Sequence, residues 1–516
     1  MRNNRRVLAR IALGSLAIAT ILAPQVSLGQ SPKGDVITDA IVGEPPTLDP
    51  MTTTADVVVS PSEHIFETLF TFDSQWRVRP LLAESMPTIS GDGLTYIIPI
   101  RKDVIFQDGS KMTSDDVVAS LARWERAATS GKEASVHIDG IRATNDHTVT
   151  IKLKEPFTPL LSLLAKQVSA AVIVPKANIK GDQLTKLIGT GPYRLAEHKP
   201  DQYIKLSRFT GYVSRKEPSD GTFGERKQIV KEIDFIPVPD NNTRVEGAVA
   251  GQYDYVDGLP IEAYGRLEKS DRSKPVLLRD ASWPFFAFNM RAGLMSHLKL
   301  RQAVAAALCP EDMLLAAFSD KKFYSVDAAL YPTNYRWHSE EGAQVYNQHN
   351  AQKASSLLKE GGYNGAPLRI LTSHQYEFHY QMAEVAKACL EEAGFRVQLD
   401  VVDWATLTQR RGNPKLWDIY ITHSSFNPEP ATLSAYYSSA PMGWDTPERT
   451  KVWDAFLSAT DEKKREQAFA QVQKLVWDQL PFYKVGSFAW LAAENRTMTG
   501  VPKIGWPVFW NAKVSK

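Results

Sequence analysis

The stretch from Leu368 to Val402 constrains the fold more than any other part of the chain. A β-rich run, Leu368 to Leu371, gives way to an apolar stripe at helical spacing through Phe378, Met382, Val385, Cys389 and Leu390. Gly394 then caps the helix, and Phe395 to Val402 alternates like a strand. Strand, helix and strand in that order form a crossover unit, whose strands should be parallel and whose hand should be right. The pattern predicts an α/β protein. Asp418 to Thr422 reads as a further strand of the same sheet.

Elsewhere the signals are shorter. Leu94 to Ile100 and Val104 to Phe106 are β-rich, and Asp108-Gly109 makes a turn after them. Thr113 is then an N-cap with Asp116 in capping-box position, and Val117, Leu121 and Trp124 recur on one helical face. Thr148 to Leu153, Tyr203 to Phe209 and Ile233 to Val238 alternate as strands. From about residue 285 the character changes, with a short strand, Phe285 to Phe288, leading to a helix through Leu300, Val304 and Leu308. Internal repeats and low-complexity tracts are absent from the sequence.

The amino terminus says where such a protein works. Arg2, Arg5, Arg6 and Arg10 precede an uncharged apolar run from Ile11 to Ala23, then Pro24 and the small-x-small triplet Ser27-Leu28-Gly29. That order predicts a secretory signal over residues 1–29, cleaved to leave Gln30 first. A membrane span would need about 20 apolar residues, and this core falls short of it. The later run Leu160 to Val174 is interrupted by Lys166 and Gln167, and reads as buried structure. Removing the leader's four arginines from 60 basic residues leaves 56 against 58 acidic ones, a formal charge near −2. Such a balance favours neither nucleic acid nor an anionic membrane as partner. In an oxidising compartment Cys309 and Cys389 could pair or remain two buried thiols, and both arrangements stay open. Neither cysteine has a second ligand at zinc-type spacing, so no metal is expected there.

Searches for catalytic patterns find no Gly-x-Ser-x-Gly, His-Glu-x-x-His, phosphate loop or Gly-x-Gly-x-x-Gly after a strand. His374 and His379 are five apart and cannot share a helical face, so they read as a solvated helix start, not metal ligands. No enzyme and no cofactor is predicted.

A series of segments in fixed order is more telling. It begins with Glu44-Pro45-Pro46-Thr47-Leu48-Asp49-Pro50, Glu67-Thr68-Leu69, Pro80-Leu81-Leu82-Ala83-Glu84 and Asp92-Gly93-Leu94-Thr95-Tyr96. Phe106-Gln107-Asp108-Gly109, Gly189-Thr190-Gly191-Pro192-Tyr193, Gly251-Gln252-Tyr253-Asp254 and Leu300-Arg301-Gln302-Ala303 follow. In this order they resemble extracellular solute-binding protein family 5, the dipeptide-, oligopeptide- and nickel-binding proteins of ABC importers. The acidic residues among them read as caps and turn anchors.

The resemblance implies a two-lobed periplasmic-binding-protein clamp of the Venus-flytrap kind, α/β in class, with an inserted subdomain in the first lobe. Lobe I is expected at 30–75, 186–283 and 488–516, the insertion at 76–185 and lobe II at 284–487. It also implies a periplasmic receptor that docks on ABC permease subunits, works as a monomer and imports peptides or peptide-like solutes. Other readings are a receptor for a non-peptide solute such as a sugar or amino-acid conjugate or a metal chelate, a periplasmic sensor, and a secreted hydrolase.

For the cleft, the loop after Leu-Asp-Pro offers Thr53, Thr54 and Asp56, and Trp404 and Phe426 are the aromatic candidates. Peptide-binding relatives hold the ligand's α-ammonium with an Asp soon after a strand. Counting from Asp418, Asn427 stands at that position, on a polar wall with His423, Ser424 and Ser425, and Glu429 could serve only if the loop shifts. An amide accepts a hydrogen bond from ammonium without neutralising it. The expected ligand is therefore a peptide-sized solute whose recognition does not depend strictly on a free amino terminus.

Overall fold

The computed structural model describes residues 35–333 and 335–515, with backbone alone at 279–281. The signal sequence expected over 1–29 lies outside the described residues. Among the described residues, one sheet of twelve strands organises the fold. In chain order these are β1 (Val36–Ile41), β2 (Tyr193–Lys199), β3 (Tyr203–Arg208), β4 (Glu232–Pro237), β5 (Tyr255–Val256), β6 (Ser273–Phe288), β7 (Tyr324–Ser325), β8 (Leu368–Thr372), β9 (Val397–Val401), β10 (Ile419–Ser425), β11 (Phe482–Lys484) and β12 (Ser487–Asn495). Their spatial order is β2-β3-β4-β1-β5-β12-β6-β10-β8-β9, with β7 beside β12 and β11 beside β6.

The strand, helix, strand unit is present: β8 runs parallel to both β9 and β10. The helix Glu377–Glu392 joins β8 to β9 and buries Met382, Ala386 and Leu390. Gly394 follows it at φ 101°, a conformation that favours glycine.

Strand β6 joins the two halves of the sheet. It pairs with β12 over Ser273–Leu278, slips register before Ser282, and pairs with β10 from Ser282 to Phe288. Only its last four residues are legible as a strand, because Pro275, Arg279, Asp280 and Pro284 break the alternation.

A separate four-stranded antiparallel sheet occupies residues 88–153, with Thr95–Pro99 paired to Thr148–Leu153. Its helix, Ser114–Ala127, opens with the expected capping box: Thr113 N–H donates to Asp116 Oδ2 at 2.9 Å. Val117, Leu121 and Trp124 are buried. Val104 to Phe106 forms a single bridge, Ile105 with Lys111, around the Asp108-Gly109 turn. The run after Leu160 folds as a short helix, Leu160–Ala165, and a buried segment, Ala170 to Val174. Among the described residues no helix is long and apolar enough to cross a membrane.

The acidic residues of the ordered segments act as scaffold. Asp49 receives the buried Arg123 guanidinium, Glu67 pairs with Arg226 at 2.9 Å, and Asp92 anchors its turn by accepting the Leu94 N–H at 3.0 Å. Gln107 ties two segments together, its amide donating to the carbonyls of Ile65, Gly191 and Tyr193. Gly191 is required by close approach, since a Cβ there would lie 2.5 Å from the His64 carbonyl oxygen. Of the two arrangements left open for the cysteines, the structure has the disulfide Cys309–Cys389. His349 lies beside it, but sulfurs bonded to each other offer no thiolate to a metal.

Candidate functional site

Where β6 slips register, a cavity of about 770 Å³ opens between the two halves of the sheet. Leu277, Leu278 and Ser282 of β6 and Trp490 of β12 form its floor. From the first half come Asp56, Trp76 and Asp257, joined by the carboxyl-terminal loop with Lys503 and Trp506. From the second come Tyr331, Tyr335, Tyr376, Ser425 and Phe426. Phe426 is the centre of an aromatic group, with ring centroids 5.0 Å from Tyr335, 5.4 Å from Trp76 and 6.2 Å from Tyr331. Such walls take large apolar or cationic groups.

The cavity is acidic. Burial pushes the Asp56 carboxyl up to about 6, a shift that repulsion from Asp257 adds to and the hydrogen bond from Ser425, with the charges of Lys166 and Arg411, opposes. The Ser425 hydroxyl donates to Asp56 Oδ2 at 2.9 Å. Burial also raises Asp257, although the Trp490 indole N–H donates to it at 2.7 Å. Asp327 is engaged by Lys484 and by the Ser487 hydroxyl.

A smaller hollow of about 90 Å³ adjoins the cavity and shares Asp56, Ser425 and Trp506 with it. Thr54, Lys166, Thr422, His423, Ser424 and Asn427 line it. His423 Nε2 lies 3.8 Å from Asp56, but burial pulls His423 down to about 3, so the ring is neutral and forms no ion pair. Its Nδ1 shares a hydrogen bond of 3.1 Å with Nε2 of His379. His379 is fully buried, contrary to its reading as part of a solvated helix start, because Tyr376, Phe378 and Trp404 enclose it.

The residues singled out from sequence thus fall into three places. Asp56, Ser425 and Phe426 line the cavity, and Thr54, His423, Ser424 and Asn427 line the hollow. Thr53, Trp404 and Glu429 line neither. The Thr53 hydroxyl accepts the Ala55 N–H in a local turn, and Trp404 packs behind Tyr376 with ring centroids 4.8 Å apart. The Glu429 carboxylate is buried against Arg465 at 2.8 Å, so the shifted-loop anchor has no free carboxylate to offer. Sequence reading passed over Trp76, Tyr331, Tyr335, Asp257 and Lys166. The density of aromatic residues between Tyr331 and Trp337, outside any helical stripe, was the available signal for the tyrosines.

Comparison with known proteins identifies the family. The model of bacterial extracellular solute-binding proteins, family 5, matches residues 77–444. A probable peptide ABC transporter periplasmic-binding protein of Sinorhizobium fredii is 28% identical over 484 residues, 90% of each chain. The glutathione-binding protein of Escherichia coli is 24% identical over 527 residues, covering 96% of each. A periplasmic binding protein of Agrobacterium tumefaciens R10, solved with agropinic acid, superposes with a TM-score of 0.81 at 23% identity, over 93% of this chain and 99% of that one. With its matched segment spanning both halves of the large sheet, the chain belongs to family 5 of the bacterial extracellular solute-binding proteins.

Proposed function

We propose that this protein is the exported solute-receiving subunit of an ABC importer, taking up a peptide or peptide-like solute and handing it on unchanged. The cavity between the sheet halves carries this reading: its volume suits a medium-sized solute and its walls combine a group of aromatic side chains with acidic and hydroxyl groups. Family membership supports the transport role, and the name of the Sinorhizobium relative supports a periplasmic location. Asp56, Ser425, Phe426, Thr54, His423, Ser424 and Asn427 are its proposed contacts.

Lobe I (30–75, 186–283, 488–516) and lobe II (284–487) are the proposed jaws, with 76–185 an insertion. In support, both junctions, near 283 and 487, fall on β6 and β12, the paired strands between the sheet halves. Solute touching both jaws favours the closed form, and that form is the one offered to the permease. The alternative from another class, a secreted hydrolase, would alter the solute.

The test is mass spectrometry of the purified protein before and after denaturation. An intact small molecule released on denaturation, and recovered unchanged after incubation with fresh protein, is the expected result. Conversion of that molecule to fragments would overturn the receptor reading.

A further inference from the structure

Lys166 interrupts an apolar segment and is only 7% exposed. Its ammonium enters no hydrogen bond or ion pair among the described residues, although a buried charge is expected to be paired. It lines the hollow beside Asp56, and the two attract each other without meeting at ion-pair distance. Arg411 donates to Thr54 at 3.0 Å on the hollow's edge, and Asp257 repels Asp56 from the cavity side. One positive and one negative group, Lys166 and Asp56, therefore line one small space, with Arg411 at its edge.

That arrangement discriminates among ligand groups. A lone carboxylate would meet Lys166 but face repulsion from Asp56, and a lone ammonium at Asp56 would face Lys166. A group carrying both charges on one carbon satisfies both residues. The Thr422 and Ser424 hydroxyls and the Asn427 amide can complete its hydrogen bonds. An α-linked peptide has its terminal charges at opposite ends and has no one carbon bearing both.

We propose that the hollow receives a free α-amino-acid head, with Lys166 on its carboxylate and Asp56 on its ammonium, while the rest of the solute occupies the aromatic cavity. The ligand class is then a side-chain-linked peptide or other amino-acid conjugate. This rests on the receptor reading above. It also supplies the cation partner that Asn427 cannot be, without requiring an α-peptide terminus.

The probes are γ-glutamyl-alanine, its isomer α-glutamyl-alanine, and the N-acetyl and α-methyl-ester forms of the γ isomer, titrated calorimetrically into the mature protein. The γ isomer is expected to bind at least tenfold tighter than the α isomer, and each blocked form to lose at least tenfold. Lys166→Met should weaken the γ isomer by a similar factor and leave its methyl ester unchanged, with the melting temperature as fold control. Should the variant not fold, the ester comparison on the native chain decides alone. Equal or tighter binding of the α isomer, no effect of esterification, or silence of both isomers would overturn the proposal. The receptor reading would then still stand or fall on the retained-molecule experiment.

Discussion

Asp56, a proposed solute contact, costs the folded protein stability. Its carboxyl is raised from 3.8 to about 6 by burial, so between those values the folded state holds a proton that the unfolded state has released. Stability is then greatest below pH 4, falls as pH rises toward 6, and stays at the lower level above it. The shift corresponds to about 3 kcal/mol at most. Asp56→Asn, which keeps a partner for Ser425, should raise stability by up to that amount at pH 7.5 and by little at pH 4, as read from urea denaturation at the two pH values. An equal effect at both pH values would show that the carboxylate is not destabilised. Lys166 has the same character, pulled down to about 8 by burial. Sequence inspection met it only as a break in the run from Leu160 to Val174. A lysine in so apolar a segment was the readable sign of a site, but which carboxylate it would face depends on packing between distant segments. The same holds for Asp257 and Trp76, whose surroundings in sequence are ordinary turns.

Elements were legible where local chemistry decided them and obscure where pairing did. The capping box at Thr113, the alternation of Thr148 to Leu153 and the stripe of the helix Glu377–Glu392 rest on near neighbours, and each was read within a residue or two. Strand β6 owes its sixteen residues to partners on both sides, and its prolines hid it. Cys309 and Cys389 gave no clue to pairing because the bond depends on how the helix Glu377–Glu392 seats against Pro310–Phe318. The bridge spans 80 residues, so in the chain-entropy model it removes about 4.5 kcal/mol worth of freedom from the unfolded chain. Replacing both cysteines with alanine should lower unfolding free energy by about 3–5 kcal/mol in urea while leaving solute affinity unchanged, since neither lines the cavity. A loss under 1 kcal/mol would mean that helix packing alone holds this region.

At the scale of the whole molecule, the proposed jaws have contacts between them besides any made through solute. The proposed insertion and lobe II also touch through residues outside the cavity and the hollow. The Trp453 indole N–H donates to Glu133 at 2.9 Å, Arg449 lies 3.6 Å from the same carboxylate, and the Thr158 hydroxyl donates to the Leu457 carbonyl at 2.8 Å. None of these residues lines the cavity or the hollow. If opening separates them, they stabilise only the closed form, and solute affinity includes their contribution even though solute never touches them. Two such hydrogen bonds are together worth about 2 kcal/mol, roughly a thirtyfold change in affinity. The pair Glu133→Ala and Thr158→Val should therefore weaken binding of the retained solute by about that factor. In small-angle X-ray scattering the solute-free variant should have a larger radius of gyration than the native protein, and saturating solute should restore the native value. A variant that folds normally but shows unchanged affinity and unchanged radius would place these contacts within one rigid body and move the hinge elsewhere.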